Sequence, residues 1–290
     1  MECGSDLVTR GAPVNPLLEV RVSAGFGDRP VLDDVRFSLA EGEAFGLVGE
    51  SGAGKSTVSL ALLNLLPWSG GWASGEVRWR GRNLLGLKER EMRRIRGKEI
   101  ALVPQSPIAA LNPGMTVEAH FKEAWRVHGG QPWKHVRDRI PELLASVQLP
   151  SGGGFLKQHP AELSVGLAQR LLIALALLHQ PALLIADEPT SALDPITQAA
   201  ILKLFAAIHA RGTALLYISH DLPSVAALCD RLAILCEGRI VEAGKCRQVF
   251  AQPAHPYTHR LLEAIAPWPP ARLTQNDRDP VPFGTGSPTK

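Results

Sequence analysis

A glycine-rich segment that ends in lysine and serine is the clearest chemical signal in the chain. Residues 49–56 read Gly-Glu-Ser-Gly-Ala-Gly-Lys-Ser and lie between an apolar run and a helix-compatible stretch. Glycines allow the backbone to fold around an anion with its N–H groups pointing inward, and the following helix N-terminus adds positive partial charge. The pattern predicts a triphosphate site in which Lys55 reaches the β- and γ-phosphates and Ser56 holds Mg²⁺. The residues expected to contact the nucleotide here are Gly49, Glu50, Ser51, Gly52, Ala53, Gly54, Lys55, Ser56 and Thr57.

Two adjacent acids follow a second apolar run. Asp187 comes directly after residues 183–186, and Glu188 is its neighbour. An acid at a strand end supplies a second Mg²⁺ contact in a triphosphate site, and a neighbouring carboxylate polarises the attacking water. We therefore expect Asp187 to bind the metal and Glu188 to act in catalysis, although a pair of acids can also simply begin a turn.

Short apolar runs that end in a polar residue or a glycine recur along the chain, mostly separated by helix-compatible stretches. Such runs predict buried strands of a mostly parallel sheet, in which ligands gather beyond the carboxyl ends of the strands. Gly49, Gln105, Asp187 and His220 each closely follow one of these runs. The predicted strands are Leu17 to Val22, Ala44 to Val48, Ile100 to Val103, Ala182 to Ala186, Ala214 to Ile218 and Leu232 to Leu235.

The stretch from about 82 to 168 differs from the rest of the chain. It has few strand-like runs, breaks such as Pro113-Gly114, and amphipathic segments such as Val136 to Val147. These features predict a helical subdomain inserted into an α/β core. Residues 1–16 are expected to form a tail, and residues 268–290, rich in proline and polar residues, are expected to be disordered.

Composition and charge fit a globular protein that binds no nucleic acid. The 290 residues are 45% hydrophobic, and 31 Lys+Arg against 28 Asp+Glu give a net charge of +3. The basic run from Lys88 to Lys98 also contains acids, which favours a solvated helix face. The four cysteines form no C-x-x-C pair, and no apolar run approaches the roughly 20 residues that span a bilayer. We expect a cytoplasmic protein with free thiols that does not itself cross a membrane.

Residues 163–170, Leu-Ser-Val-Gly-Leu-Ala-Gln-Arg, lie between the two parts of the predicted triphosphate site. They resemble the signature motif of ATP-binding cassette (ABC) proteins. Gln105 after residues 101–104 resembles the Q-loop of that family, Ser191-Ala-Leu-Asp194 its D-loop, and His220 in Ile-Ser-His-Asp its switch histidine. The chain thus resembles the nucleotide-binding subunit of an ABC transporter over about residues 17–267.

This resemblance implies an α/β fold and a division of the chain. The family has a P-loop NTPase (RecA-like) core with a mostly parallel sheet, an inserted α-helical subdomain, here at about 82–168, and a small antiparallel β portion near the N-terminus. Two segments narrow the resemblance to the oligopeptide, dipeptide and nickel importer group. Residues 105–113 are similar to the Q-loop of that group, and His255-Pro-Tyr-Thr258 to its C-terminal extension, here about 251–267. His255 itself is expected to catalyse nothing.

The resemblance also implies roles for individual residues. ATP held by the P-loop of one subunit is covered by the signature motif of the other, so that two ATP molecules join two subunits. Glu188 would orient water, His220 would contact the γ-phosphate, and Gln105 would join Ser56 and Asp187 at Mg²⁺. Phe26 occupies the position at which the family stacks an aromatic ring on adenine, although a single Phe is as often a core residue. The signature residues are Ser164, Val165, Gly166 and Leu167, and the D-loop residues are Ser191, Ala192, Leu193 and Asp194.

One signature residue departs from the family pattern, because Val165 stands where the family usually has glycine. A β-branched side chain adds bulk that glycine lacks, so Val165 could hold the helix start away from the γ-phosphate of the partner's ATP. Alternatively, the valine side chain points away from the nucleotide and is tolerated. The first interpretation predicts a hetero-pair of subunits in which this chain's own P-loop site is the better hydrolytic one.

The function implied by the resemblance is ATP hydrolysis, with ATP and Mg²⁺, that powers an importer from the inner face of the cell membrane. Its partners would be a second ABC subunit, two integral membrane permeases and, indirectly, an extracytoplasmic substrate-binding protein. An alternative is a soluble ABC ATPase subunit of an enzyme complex, such as one for phosphonate breakdown. An ABC ATPase of DNA repair is disfavoured because the insertion shows no sustained heptads. The transported substrate stays open.

Overall fold

A computed structural model describes residues 15–265 of the 290-residue chain. Of the two predicted tails, only residues 15 and 16 fall within this part; 1–14 and 268–290 lie outside the described residues. The strands are, in chain order, β1 (Leu18–Phe26), β2 (Arg29–Leu39), β3 (Ala44–Val48), β4 (Gly71–Trp79), β5 (Arg82–Asn83), β6 (Ile100–Val103), β7 (Leu183–Asp187), β8 (Ala214–Ser219), β9 (Arg231–Cys236) and β10 (Arg239–Lys245).

The core is a six-stranded sheet with the order β10-β9-β3-β8-β7-β6. All neighbours in it are parallel except β10, which pairs antiparallel with β9. Every residue of β3, β7 and β8 is buried. Parallel strands covered on both faces are built from continuous apolar runs, as here. The predicted α/β fold with a mostly parallel sheet is confirmed.

Both faces of this sheet carry a hydrophobic cluster, and alternate residues of each strand enter opposite clusters. In β7, Leu184 and Ala186 belong to one cluster, while Leu183 and Ile185 belong to the other. The first cluster includes buried residues of most helices after β6. The second includes buried residues of α1 and of the strands outside the core sheet. The core sheet is therefore the middle of three layers.

The helices flank the core sheet and fill the stretch between β6 and β7. No helix within residues 15–265 is both long and apolar enough to cross a bilayer. Short 3₁₀ helices cover Leu66–Ser69 and Pro160–Glu162. The α-helices are α1 (Lys55–Leu62), α2 (Glu89–Ile95), α3 (Pro107–Ala110), α4 (Val117–His128), α5 (Lys134–Arg137), α6 (Ile140–Ser146), α7 (Gly153–Leu156), α8 (Val165–Leu177), α9 (Pro195–Ala210), α10 (Leu222–Leu228), α11 (Cys246–Ala251) and α12 (Pro256–Glu263).

A second, antiparallel sheet has the order β2-β1-β4-β5. The predicted small antiparallel β portion near the N-terminus is confirmed, and the run predicted at Leu17 to Val22 lies in it as part of β1. Its alternating burial, with Leu18, Val20 and Val22 buried between exposed residues, is typical of a sheet with one solvated face. The other five predicted strands lie in the core sheet.

The stretch predicted as a helical insertion, 82–168, is not helical throughout. It contains β5, which pairs with β4, and β6, which forms an edge of the core sheet beside β7. The helices without intervening strands begin at α3, directly after β6. The Q-loop position Gln105 therefore lies between a core strand and the first of these helices.

Candidate functional site

The loop between β3 and α1 requires glycine at two positions. A Cβ at Gly49 would lie 2.3 Å from the carbonyl oxygen of Leu235, and one at Gly54 would lie 2.7 Å from Cδ2 of Leu32. Gly54 also has φ of +102°, a conformation that strains other residues. The loop thus keeps its backbone close to β9 and β2 while the preceding strand stays buried.

The N-terminus of α1 is open to an anion. Among residues 15–265, no side chain caps it, and its first turn contains no acid. The first N–H groups of a helix have no intrahelical partners, and the helix dipole places positive partial charge there. Gly52, with φ of +86°, has no atom of the described residues within 4 Å of its missing Cβ, so they leave the loop surface unobstructed at that point. These features fit a polyphosphate.

The carboxylate of Glu188 is the point where the predicted catalytic residues meet. Its Oε1 lies 3.0 Å from the Nζ of Lys55, and both side chains are almost completely buried. Its Oε2 lies 3.0 Å from Nδ1 of His220 and accepts a hydrogen bond of 3.4 Å from Nε2 of Gln105. The Lys55 ammonium also donates to the carbonyl oxygens of Gly49 and Glu50, at 2.9 and 3.0 Å. Residues more than 160 positions apart in sequence thereby share one cluster.

Neighbouring strands bring these residues together. Glu188 follows β7, His220 follows β8, and Gly49 follows β3, so all lie at the carboxyl edge of the core sheet. The N–H of Glu188 donates to the carbonyl oxygen of Ile218 at 2.9 Å, which fixes it against β8. Its φ of +45° is unusual for a residue other than glycine. Strain of this kind persists where the surrounding structure holds it, and it concentrates at functional sites.

Asp187 forms a buried oxygen cluster beside Glu188. Ser56 donates to its Oδ1 at 3.3 Å, and Ser59 donates to its Oδ2 at 2.9 Å. Burial raises the pKa of the Asp187 carboxyl, while hydrogen bonds from the two serines oppose that rise. Carboxylate and hydroxyl oxygens are the ligands that Mg²⁺ prefers. Ser59 was missed from the sequence, although its place three residues after Ser56 puts both on one helix face.

The signature residues lie apart from this cluster, at the start of α8. Ser164 is the helix N-cap and accepts a hydrogen bond from the N–H of Leu167 at 3.3 Å, which leaves its own hydroxyl hydrogen to donate. A Cβ at Gly166 would lie 2.9 Å from Cγ2 of Thr197, so this second glycine is needed for packing against α9. Val165, by contrast, is 40% exposed.

The D-loop joins the signature region to the catalytic cluster. Ser191 donates both its N–H and its hydroxyl to the carbonyl oxygen of Glu188, at 3.3 and 3.1 Å. Asp194 caps α9 by accepting the N–H groups of Ile196 and Thr197. Ala192 is exposed and Leu193 is half-buried. The D-loop thus contacts Glu188 through Ser191. Through Asp194 it caps the helix whose Thr197 lies beside Gly166.

Phe26 is not part of the cluster around Glu188. It ends β1, is 36% exposed, and pairs with Gly71 of β4. A Cβ at Gly71 would lie 3.0 Å from Cδ1 and Cε1 of the phenyl ring, so the ring packs against this glycine. The residue stays accessible, which is compatible with base stacking.

Comparison with known proteins identifies relatives of this chain. Residues 32–191 match the family model described as ABC transporter. The chain is 41% identical over 259 residues to the oligopeptide transport ATP-binding protein of Salmonella typhimurium, covering 87% of this chain and 77% of that protein. It is 42% identical over 233 residues to the dipeptide transport ATP-binding protein of Bacillus subtilis, covering 80% of this chain and 70% of that protein.

Solved structures show the same likeness. One is the ATP-binding subunit of an ABC transporter, with a TM-score of 0.67 and 31% identity, covering 81% of this chain and 92% of that one. Another is a dimeric ATP-binding cassette bound to ADP and phosphate after hydrolysis, with a TM-score of 0.68 and 27% identity. That match covers 79% of this chain and 98% of the cassette.

Proposed function

This chain belongs to the ABC transporter family, and we propose that it is the ATP-hydrolysing subunit of a peptide importer. The convergence of Lys55, Gln105 and His220 on the carboxylate of Glu188 is the observation that carries the ATPase assignment. Peptide cargo is favoured over nickel because both relatives described above are peptide transport proteins.

ATP binds with its phosphates in the loop from Gly49 to Thr57 and its base against Phe26. The open N-terminus of α1 and the Lys55 ammonium stabilise the phosphate charge. Glu188 accepts hydrogen bonds from the attacking water and aligns it with the γ-phosphate. His220, whose side chain is 51% exposed and whose Nδ1 lies 3.0 Å from Oε2 of Glu188, contacts that phosphate.

Ser56, Asp187 and Gln105 would hold Mg²⁺, which would supply positive charge to neutralise the β- and γ-phosphates. The Ser56 hydroxyl donates to the Asp187 carboxylate at 3.3 Å, so oxygen atoms of both residues already lie together. Ser59 supports this site by holding the second oxygen of Asp187. Gln105 connects the site to α3, since only one residue separates it from the N-terminal end of that helix.

Two cassettes associate head to tail, and the signature of each covers the ATP of the other. Ser164 and the N-terminal N–H groups of α8 contact the partner's γ-phosphate. The partner is a related but different subunit, because Val165 weakens the site that this chain covers. This chain's own site contains the complete set of hydrolytic residues and lies opposite the partner's signature.

The assembled pair binds two integral membrane permeases from the inner face of the cell membrane, and a substrate-binding protein delivers the peptide on the other side. The helices after β6 form the contact with the permeases, since Gln105 joins them directly to the ATP site. Conformational changes at the γ-phosphate therefore reach the permeases through α3.

Purification of the tagged full-length chain from detergent-solubilised membranes tests this function. We expect two integral membrane proteins and a second ABC subunit to co-purify, and the complex to take up a labelled oligopeptide into proteoliposomes with ATP. The same complex carrying Lys55→Ala is the control and should show no uptake. Recovery of the chain only in a soluble enzyme complex would contradict the importer and favour the phosphonate-type alternative.

A further inference from the structure

The C-terminal helix α12 contacts the phosphate loop through Tyr257. The phenol oxygen lies 3.3 Å from the backbone nitrogen of Glu50, 207 positions away in the chain, and accepts its hydrogen. Tyr257 is 6% exposed. Its segment, His255-Pro-Tyr-Thr258, supplies none of the ATP-contacting or catalytic residues proposed above, yet it reaches the second residue of the loop.

With this hydrogen bond, both polar groups of one peptide unit have partners. The unit consists of the carbonyl of Gly49 and the N–H of Glu50. Its carbonyl oxygen accepts from the Nζ of Lys55 at 2.9 Å, while its N–H donates to Tyr257. Gly49 itself has no room for a Cβ, because Leu235 lies against it. Tyr257 therefore acts on the same peptide plane that orients the Lys55 ammonium.

The position of Tyr257 is itself fixed by a buried carboxylate. Glu242 of β10 is 6% exposed, and its two oxygens accept the N–H groups of Ala254 and His255 at 2.9 and 3.0 Å. Nδ1 of His255 then accepts the N–H of Tyr257 at 3.2 Å and caps α12. The histidine of this segment has a structural role, which is to start the helix that presents Tyr257.

The phenol stays neutral in this environment. Burial is the largest influence on its pKa and raises it, so the hydroxyl is protonated at physiological pH. The guanidinium of Arg260, one turn later in α12, lies 5.8 Å from the ring centroid and packs on its face. Phenylalanine at this position would keep the ring and the Arg260 contact and lose only the hydroxyl.

We propose that Tyr257 is a positioning residue for ATP binding, which holds the Gly49–Glu50 peptide so that Lys55 faces the phosphates. The inference rests on the proposed ATP site. It assigns to the C-terminal extension a role in ATP affinity, exerted through the phosphate loop.

Titration of the purified full-length chain with Mg²⁺-ATP, together with steady-state ATP hydrolysis by its complex with the partner subunit, tests the role of Tyr257. Tyr257→Phe should raise the Kd and the KM for ATP by about three- to tenfold, the effect of one lost hydrogen bond. The kcat at saturating ATP should stay within about twofold of wild type, because no group that contacts the reacting atoms is removed.

Thr258→Val is the matched control. Thr258 is fully buried in the same helix, and its hydroxyl has no hydrogen-bond partner among residues 15–265. This variant should leave both Kd and KM for ATP unchanged. An unchanged KM in Tyr257→Phe, or an equal rise in both variants, would overturn the positioning role while wild type still binds ATP. Absence of ATP binding by wild type would instead overturn the ATP site and this inference together.

Discussion

At the scale of single residues, Glu188 combines a buried ion pair with two further side-chain contacts. Lys55 compensates its charge at Oε1, while Gln105 and His220 contact Oε2. Removing one partner from a buried ion pair leaves an uncompensated charge, which is strongly unfavourable. Lys55 retains two carbonyl acceptors on the phosphate loop, so its ammonium keeps hydrogen-bond partners even when Glu188 is neutralised.

The sequence identified most members of this cluster by type and spacing, but not their contacts. The P-loop pattern, the two acids and His220 each follow an apolar run, and strand ends converge in a parallel sheet. The role of Ser59 was not foreseen, because a serine within a helix has many possible partners. The bond between Tyr257 and Glu50 was also beyond prediction, since nothing local in sequence relates residues so far apart.

The two glycine positions of the signature differ in their surroundings. At position 166 there is no room for a side chain, because a Cβ would lie against Thr197. Val165, at the first position of α8, is 40% exposed. The fold therefore demands glycine at 166 and tolerates a side chain at 165. In the proposed head-to-tail dimer, this exposed valine at a helix N-terminus would occupy space that the partner's phosphate approaches.

Val165→Gly should increase ATP turnover at the site that this chain covers. The measurement follows a single round of ATP hydrolysis in the complex with the unchanged partner subunit, while Glu188→Gln silences this chain's own site in both samples. We expect turnover to rise by at least about threefold, equivalent to roughly 0.7 kcal/mol of transition-state stabilisation. Unchanged turnover would show that the valine is tolerated and would remove the argument for asymmetry.

At the scale of secondary-structure elements, the β9–β10 hairpin supports the phosphate loop. Glu237 and Gly238 form its two-residue turn, both with positive φ, at +47° and +77°. Such a turn matches the twist of a hairpin. The N–H of Gly238 donates to the carbonyl oxygen of Ala53 at 3.2 Å, and its carbonyl accepts the N–H of Asp33 at 2.9 Å. One turn residue thus links the loop to β2.

Gly238→Ala should destabilise the protein more than a glycine replacement without close neighbours. Its Cβ would lie 2.1 Å from the carbonyl oxygen of Val31, in addition to the cost of positive φ. We expect the free energy of unfolding to fall by at least about 3 kcal/mol. Gly212→Ala is the control, because Gly212 has φ of +95° and the described part of the chain has no atom within 4 Å of the added Cβ.

For Gly212→Ala we expect the free energy of unfolding to fall by about 1 kcal/mol, because only the backbone conformation is strained. Urea unfolding followed by circular dichroism compares the two variants with wild type. Equal unfolding midpoints for both variants would show that the contact with Val31 does not constrain the hairpin.

The core strands were the most predictable elements, because they are continuous apolar runs. β2, of 11 residues, and β4, of 9 residues, were harder to identify, because exposed residues interrupt the apolar pattern of each strand. β1 was found, and antiparallel pairing near the N-terminus was expected, but its partner strands were not identified. β1 pairs with the adjacent β2 and with β4, more than 40 positions later, and an isolated run does not say which strands it pairs with.

At the scale of the whole molecule, the cluster around Glu188 and the signature segment lie in different parts of the fold. The cluster lies at the carboxyl edge of the core sheet, and the signature lies at the start of α8. The D-loop connects them, because Ser191 contacts Glu188 and Asp194 caps α9, whose Thr197 lies against Gly166. In the proposed head-to-tail dimer each site is complete only across two subunits, which would couple hydrolysis to association because bound ligand stabilises the associated state.

The fate of bound ATP in the Glu188→Gln complex tests the central claim most directly. Radiolabelled ATP is bound to the wild-type and variant complexes with the partner's own hydrolytic glutamate already replaced, and conversion to ADP is followed. We predict that the variant retains intact ATP in a stable closed dimer, with hydrolysis slowed by at least about 100-fold, the range of a lost general base. Hydrolysis at the wild-type rate would contradict the catalytic role of Glu188 and the account built on it.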